Sequence, residues 1–214
     1  MPLIDFEQGN SELTLFIWKI EEEESFFMNE ISCIDFSQVE LYRHPQARLQ
    51  WLASRLLLFR HLGADNFQQL ARNERGKIYL KDTNTNISIS HSENMIAVAF
   101  SKKQFGIDIQ KFTEKIPRLA LKFIPEKDLN ILQEQDSFFK TAHVHWGVKE
   151  AMFKADNEGK LDYRENLILH WAKNYNIAGD NFEASTSRHK IETRYKASYR
   201  ELLEDFLLCT VTKL

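Results

Sequence analysis

The sequence of 214 residues is poor in the residues that mark extended or cross-linked chains. It has seven Gly and four Pro, too few for a collagen-like or linker-rich architecture. Its two cysteines, Cys33 and Cys209, stand far apart and form no zinc-type spacing, so we expect reduced thiols in a cytoplasmic protein. No uncharged apolar run approaches the ~18 residues of a membrane-spanning helix. The first residues also lack the basic and apolar segments of a signal peptide.

The chain also has no excess of positive charge: it contains 28 Lys and Arg against 31 Asp and Glu, which gives a net charge of -3. A chain-wide basic field for nonspecific nucleic-acid binding is therefore excluded, although a local basic patch remains open. What the chain does have is apolar material, with 43% hydrophobic residues and 16 Phe. That composition predicts a folded core rather than disorder.

The apolar periodicities predict a chain of mixed helices and strands. We expect strands at 13–20, 86–90, 95–100, 105–110, 165–171, 189–198 and 205–213, and a connecting loop at 173–181. Helices are expected at 45–62, 114–123, 126–134 and 138–155, the first of them starting at Pro45 and stopping at Gly63. No linker divides the chain, yet the order of elements suggests two halves of similar make-up, 1–105 and 106–214.

Two of three short polar segments lie on predicted strands. In SISHS at 88–92, Ser90 and His91 place donors at a strand end, which suits an anion, although a lone strand histidine is often structural. In GIDIQ at 106–110, Asp108 stands between two isoleucines. Burying that carboxylate is costly unless a cation such as Mg²⁺, a backbone donor or water meets it.

The third segment, WGVKEAMFK at 146–154, lies on a predicted helix where Glu150 and Lys154 are one turn apart. Glu150 and Lys154 form either an ordinary ion pair on the helix surface or part of a site that binds a metal and phosphate. Arg48 and Arg55 lie along one line of another helix and either clamp a phosphate or carboxylate or lie in solvent. The combination of acidic and basic groups predicts metal-assisted chemistry on a phosphate ester.

Other constellations are missing or unfavourable. The sequence has no dinucleotide-binding, P-loop, serine-hydrolase or HExxH motif. His143 and His145 are two residues apart on a predicted helix and therefore point in different directions, which disfavours zinc.

In their order and spacing, these segments resemble the 4′-phosphopantetheinyl transferase superfamily, specifically its longer, surfactin-synthetase-type monomers. The resemblance runs from about residue 43 to 170. Its pieces are the Arg48–Arg55 helix, RGKIYL at 75–80, SISHS at 88–92, GIDIQ at 106–110, FIPEKD at 123–128 and WGVKEAMFK at 146–154. The resemblance implies a pseudo-two-fold α+β fold, two similar halves with the active site between them, acting as a monomer without nucleic-acid or membrane partners.

The implied enzyme is a holo-[acyl-carrier-protein] synthase. Such an enzyme transfers the 4′-phosphopantetheine group of coenzyme A to a serine of an apo acyl or peptidyl carrier protein. It uses Mg²⁺ on the pyrophosphate and releases adenosine 3′,5′-bisphosphate. The resemblance implies these roles: Asp108, Glu150 and the Gln110 position for the metal; Ser90 and His91 for the 3′-phosphate; Arg48, Arg55, Lys77, Lys149 and Lys154 for coenzyme A phosphates; and Asp128, or alternatively Glu126, as the base. Lys154 is expected to be a catalytic residue as well.

Two positions depart from the pattern of the superfamily. Many members have Glu where this chain has Gln110, and Asp128 stands where Glu is usual. Gln keeps an oxygen ligand but removes a negative charge, so weaker metal affinity or an added water is expected. These departures leave an alternative open, in which the chain is a non-catalytic module that binds coenzyme A or a carrier protein with a degraded metal site.

Overall fold

The computed structural model describes the backbone of residues 3–8 and, with their side chains, residues 13–31, 34–156, 159–170 and 181–214. The chain divides into two compact units, Met1–Lys103 and Gln104–Leu214. Within the described residues no helix is both long and apolar enough to cross a membrane.

The first unit is built on a four-stranded antiparallel sheet. The strands of this unit are β1 (Leu3–Gln8), β2 (Leu13–Lys19), β3 (Leu70–Arg72), β4 (Ile78–Leu80), β5 (Asn86–Ser92) and β6 (Met95–Ser101). The sheet has the order β1-β2-β6-β5, and β3 pairs separately with β4. Strand β6 is buried at every position, which explains why its sequence is continuously apolar instead of alternating.

Two helices, α1 (Glu24–Glu30) and α2 (Pro45–Phe67), complete this unit together with a short 3₁₀ segment at Phe36–Leu41. Pro45 opens α2, as predicted, because its fixed φ suits a first helical turn. The predicted stop at Gly63 is wrong in part. Gly63 has φ 73° and breaks the helical geometry, but further helical residues follow as far as Phe67. Burial of Phe67 in the core of this unit accounts for the continuation.

The second unit has a five-stranded antiparallel sheet with helices. Its helices are α3 (Lys115–Arg118), α4 (Glu126–Leu132) and α5 (Phe138–Ala155), and its strands are β7 (Phe105–Lys111), β8 (Leu167–His170), β9 (Phe182–Arg188), β10 (Ile191–Leu202) and β11 (Phe206–Lys213). The sheet has the order β7-β11-β10-β9-β8. The predicted helix at 114–123 is instead α3 followed by a 3₁₀ turn at Ala120–Lys122, because three-residue backbone hydrogen bonds close that turn. Strand β9 was not predicted, and most of the predicted loop at 173–181 lies outside the described residues.

Helix α5 lies unusually close to strand β7. A Cβ atom on Gly106 would overlap the main-chain oxygen of Ala151, and one on Gly147 would lie 2.5 Å from the Gln110 amide nitrogen. At Gly106 the two backbones can approach this closely only because the residue is glycine, whereas at Gly147 the space is taken by the side chains of Gln110 and Cys209. Since side chains alternate along a strand, Asp108 and Gln110 face α5 on the same side as Gly106.

Antiparallel sheets and separate helices make the chain mixed in class, consistent with the expected α+β fold. Of the two cysteines, Cys209 is a buried free thiol, whereas Cys33 lies outside the described residues.

Candidate active site

Asp108 and Lys154 form an ion pair in the second unit. The Lys154 Nζ atom donates to Asp108 Oδ1 at 2.8 Å, and the Asp108 residue is only 6% exposed. The last turn of α5 carries Lys154 to β7, where the strand presents Asp108. The lysine partner explains how a carboxylate between two isoleucines is tolerated inside the unit.

Glu150 lies one turn earlier on α5, partly buried, and close enough to Asp108 to respond to its charge. Burial raises the pKa of Glu150, and the negative charge of Asp108 raises that pKa further. Lys154 and a hydrogen bond from Tyr163 act in the opposite direction. Asp108, Glu150 and Lys154 thus bring two carboxylates and one ammonium group together, and these three groups carry an excess of negative charge.

That donor set suits a hard cation completed by substrate oxygens rather than an all-protein cage. Mg²⁺ is commonly bound by one or two carboxylates together with phosphates and water. Over the described ranges there is no group of three or more His, Cys, Asp or Glu side chains arranged to hold a metal. A cation here would therefore depend on Asp108, Glu150 and oxygens from outside the chain.

Tyr163 joins this cluster and was not predicted from the sequence. Its side chain forms a hydrogen bond with the Glu150 carboxylate. Burial and the charge of Glu150 raise the pKa of Tyr163, so the phenol stays protonated and is the donor. No sequence signal could have found this contact, because Tyr163 lies in a turn beyond the end of α5.

Lys149 is directed to the backbone rather than to the surface. Its Nζ atom donates to the carbonyl oxygens of Phe123 at 2.6 Å and Tyr163 at 2.7 Å, and the residue is 1% exposed. Burial lowers the pKa of Lys149 to about 7, against the charges of Asp128, Asp162 and Glu165. The predicted phosphate contact of Lys149 stays a prediction, but in this structure the ammonium group connects two chain segments to α5.

Gln110 also bonds to the backbone of α5. Its amide nitrogen donates to the His143 carbonyl oxygen at 2.8 Å, and the residue is buried beside Gly147. The side chain thus links β7 to α5, and only its carbonyl oxygen is chemically suited to a metal. Its role as a ligand stays a prediction.

The histidine pair of α5 is structural in its contacts. His143 Nε2 accepts the Thr113 backbone N–H at 3.0 Å, while Nδ1 lies 2.8 Å from the Phe139 carbonyl oxygen. These contacts fix a neutral tautomer with the proton on Nδ1, and burial lowers the pKa of His143. His145 is buried too, and burial lowers its pKa well below the usual range.

The two residues predicted as alternative bases lie in the first turn of α4. Glu126 is exposed, and Asp128 is partly buried. The charge of Asp128 acts on Lys149 more strongly than the other nearby carboxylates do, so Asp128 lies toward the buried side of that turn. The choice between the two stays open.

In the first unit, Arg55 is a buried cation. It is 8% exposed, its guanidinium carbon lies 4.7 Å from the Trp51 ring centroid, and Nη1 donates to Ser54 Oγ at 3.0 Å. Burial lowers the pKa of Arg55 to about 10, and the like charge of Arg72 lowers it further. Among the described residues no carboxylate forms an ion pair with Arg55. A buried guanidinium in this state is suited to an anionic ligand.

Arg48 lies on the same helix as Arg55 but has a partner. Its Nε and Nη2 atoms donate to the two carboxylate oxygens of Glu24 at 2.7 and 2.6 Å. The acidic run at 21–24 is typical of a solvated helix start or turn, and Glu24 opens α1. Its ion pair with Arg48 was missed, because the two residues are 24 positions apart in the chain.

The remaining predicted contacts also lie in the first unit. Ser90 is buried on β5, His91 is exposed near the end of that strand, and Lys77 is partly exposed just before β4. A tight turn precedes β4, where Asn73 Oδ1 accepts the Lys77 backbone N–H at 3.0 Å and Gly76 has φ 78°. Their roles toward a ligand stay predictions.

Comparison with known proteins gives one informative similarity. No family model matches the chain. A 4′-phosphopantetheinyl transferase of Aneurinibacillus migulanus is 32% identical over 90 residues, which are 41% of this chain and 38% of that protein. The similarity supports the 4′-phosphopantetheinyl transferase superfamily. The matched stretch covers only about two fifths of the length of that relative.

Proposed function

We propose that this chain is a Mg²⁺-dependent 4′-phosphopantetheinyl transferase of the long, surfactin-synthetase type. It would act as a cytoplasmic monomer, transfer the phosphopantetheine arm of coenzyme A to a serine of an apo carrier protein, and release adenosine 3′,5′-bisphosphate. The observation that carries the proposal is the Asp108–Lys154–Glu150 cluster between β7 and α5. The similarity to a transferase of this kind supports it.

The cluster fits the metal that the proposed reaction requires. Burial raises the pKa of Glu150, and repulsion from the Asp108 carboxylate raises it further; a divalent cation would relieve that repulsion. Asp108 and Glu150 would hold Mg²⁺, with the Gln110 carbonyl oxygen as the third predicted ligand. When bound, Mg²⁺ would neutralise negative charge on the pyrophosphate and on the leaving phosphate.

The chain's own side chains would perform the remaining steps. Lys154 would hold a phosphate oxygen with a donor other than the one that bonds to Asp108, since an ammonium group has three N–H bonds. Asp128 or Glu126 would accept the proton of the carrier serine as its oxygen bonds to phosphorus. The bond from that phosphorus to the adenosine bisphosphate would break in the same transfer.

Coenzyme A also carries phosphates remote from the reacting bond, and Arg55 is the strongest support for a site that binds them. A buried guanidinium with a like charge nearby gains most from an added anion. Arg48, Lys77, Ser90 and His91 are proposed as further contacts of coenzyme A phosphates. Lys149 stays a further predicted contact, and two of its three donors engage the backbone.

One observation favours a second candidate, the non-catalytic binding module. The Gln110 amide nitrogen is used to join β7 to α5, and the side chain supplies no negative charge to a metal. In that case coenzyme A or a carrier protein would bind without transfer.

The two functions differ in one measurement. The protein is incubated with coenzyme A, Mg²⁺ and a panel of apo carrier proteins, and intact-mass spectrometry records phosphopantetheine addition. We expect at least one carrier to gain the group, and omission of Mg²⁺ or addition of EDTA to abolish the gain. Binding of coenzyme A with no modified carrier in the panel would support the binding module instead.

A further inference from the structure

We propose that Tyr163 is a positioning residue for Glu150, holding that carboxylate in the orientation in which it receives a divalent cation. The inference rests on the proposed function for the identity of the cation, and on the contacts of Tyr163 for everything else. Tyr163 belongs to none of the motifs that predicted the site.

Four residues of α5 contact Tyr163 from one face of the helix. Trp146, Lys149, Glu150 and Phe153 follow the spacing of zero, three, four and seven residues that places side chains in one stripe. The Tyr163 ring lies 5.5 Å from the ring centroid of Trp146 at an interplanar angle of 24°, and 5.5 Å from that of Phe153. Packing against both rings fixes the plane of the tyrosine ring, and therefore the position of the phenolic oxygen.

The backbone of Tyr163 is held as firmly as its ring. Its carbonyl oxygen accepts the buried Lys149 ammonium group at 2.7 Å. The turn around it is closed by Asp162, whose Oδ1 atom accepts the backbone N–H groups of Arg164 at 2.9 Å and Glu165 at 2.8 Å. Because both the ring and the backbone of Tyr163 are held in place, its hydroxyl group restricts the orientation of the Glu150 carboxylate.

The hydrogen bond from Tyr163 uses only part of the acceptor capacity of the Glu150 carboxylate. A carboxylate that accepts one phenolic hydrogen bond keeps lone pairs for a cation, but it loses freedom to rotate. Loss of partners of this kind around metal ligands typically lowers metal affinity or activity by about 10- to 100-fold, because the partners fix the orientation of the ligand. Asp108 is oriented in the same way by Lys154, so each carboxylate has a protein donor.

The test is removal of the Tyr163 hydroxyl with the ring kept, Tyr163→Phe. The probe is Mn²⁺, with the loss of its free-ion electron paramagnetic resonance signal measured with and without coenzyme A and corrected for coenzyme A alone. We expect the dissociation constant for Mn²⁺ to rise about tenfold. The control is Tyr195→Phe, which removes another phenol of the same unit that hydrogen-bonds to Thr186. It should leave Mn²⁺ affinity within about twofold of wild type.

A merely structural role would give a different pattern. The melting temperature of Tyr163→Phe should stay within a few degrees of wild type, because the ring contacts remain. Its transfer rate should recover at high Mg²⁺ concentration, whereas a misfolded variant would not be rescued. A second variant, Tyr163→Leu, should lower both the melting temperature and the Mn²⁺ affinity. Wild-type Mn²⁺ affinity in Tyr163→Phe would overturn the proposal, and so would a wild-type protein that binds no Mn²⁺ under either condition.

Different results would contradict the proposed transferase function and the positioning role of Tyr163. A protein that binds Mn²⁺ in a Tyr163-dependent manner but modifies no carrier would keep the positioning role and lose the transferase. If the wild type and Tyr163→Phe modify carriers equally well at every Mg²⁺ concentration, the transferase is kept and the positioning role is lost.

Discussion

The two units use similar parts to bury opposite charges. Each combines an antiparallel sheet with one long helix, α2 in the first unit and α5 in the second. In the first unit the buried charge of interest is the guanidinium of Arg55, and in the second it is the carboxylates of Asp108 and Glu150. The pKa of Arg55 is lowered and that of Glu150 is raised, so in both units burial disfavours the charged form. Under the proposed function, coenzyme A phosphates would meet the first charge and Mg²⁺ the second.

The units also differ in how their helices approach the sheet. Helix α5 touches β7 at two glycines, and the polar side chains of that interface bond to defined atoms. Helix α2 buries a continuous apolar run, from Trp51 to Leu58, in which Ser54 and Arg55 are the polar exceptions. Arg55 therefore lies among apolar groups, whereas the Asp108–Lys154–Glu150 cluster lies where a helix and a strand are in close contact.

The largest effect that separates the units is expected at Glu150. Glu150→Gln should lower carrier modification by orders of magnitude, because it removes one of two charged metal ligands. The fold should be as stable as wild type at neutral pH. The raised pKa of Glu150 means that its charged form is disfavoured by folding, so a neutral isostere relieves that cost. Near-wild-type transfer, measured by intact-mass spectrometry of the carrier, would exclude the metal role of Glu150.

The next effect concerns the cation of the first unit. Arg55→Met should weaken coenzyme A binding by about tenfold or more, since the loss of a charge-assisted pair to phosphate is large in a buried site. It should not lower the melting temperature, because a buried charge that folding disfavours is removed. Arg60→Met is the matched control on the same helix, where the arginine pairs with Glu30 at 2.6 Å. Calorimetry showing equal affinities for both variants would remove Arg55 from the ligand site.

A third change tests whether the second unit is held together by its buried lysine. Lys149→Met keeps the length of the side chain but leaves the carbonyl oxygens of Phe123 and Tyr163 without their donor. We expect a loss of about 1–3 kcal/mol in the free energy of unfolding. Lys140→Met on the same helix removes an exposed ion pair with Glu201 and should cost less than about 1 kcal/mol. Equal denaturant midpoints for the two variants would refute a structural role for Lys149.

The smallest effect should appear at Glu24, which competes for Arg48 in the first unit. Glu24→Gln weakens a half-exposed ion pair whose free energy is at most about 1 kcal/mol, so coenzyme A affinity should rise no more than about fivefold. Glu30→Gln, which weakens the neighbouring Arg60 pair, should leave that affinity unchanged. A fall in affinity in Glu24→Gln would show that Arg48 binds the ligand only while the Glu24 carboxylate holds it, and an unchanged affinity would remove Arg48 from the ligand site.

Local patterns predicted the longer helices and most of the longer strands, but not β1, α1, β3, β4 or β9. They also failed where contacts between distant segments decide the structure. The apolar periodicity of 138–155 predicted α5 at both ends, although the helix is buried at most positions from Thr141 onward. Asp108 was predicted as a costly strand carboxylate, and its lysine partner was already among the site residues. The direction of Lys149 was not predictable, since helical spacing places it beside Glu150 without revealing which carbonyls it meets. Tyr163 and Glu24 were missed for the same reason.

Gly106 sets how closely helix α5 can lie against strand β7, because a Cβ atom there would overlap the main-chain oxygen of Ala151. Any larger residue at this position would push the helix away from the strand, and Glu150 on the helix would move relative to Asp108 on the strand. Under the proposed function, the backbone spacing at this one glycine would therefore bear on the size of the cation that the two carboxylates accept.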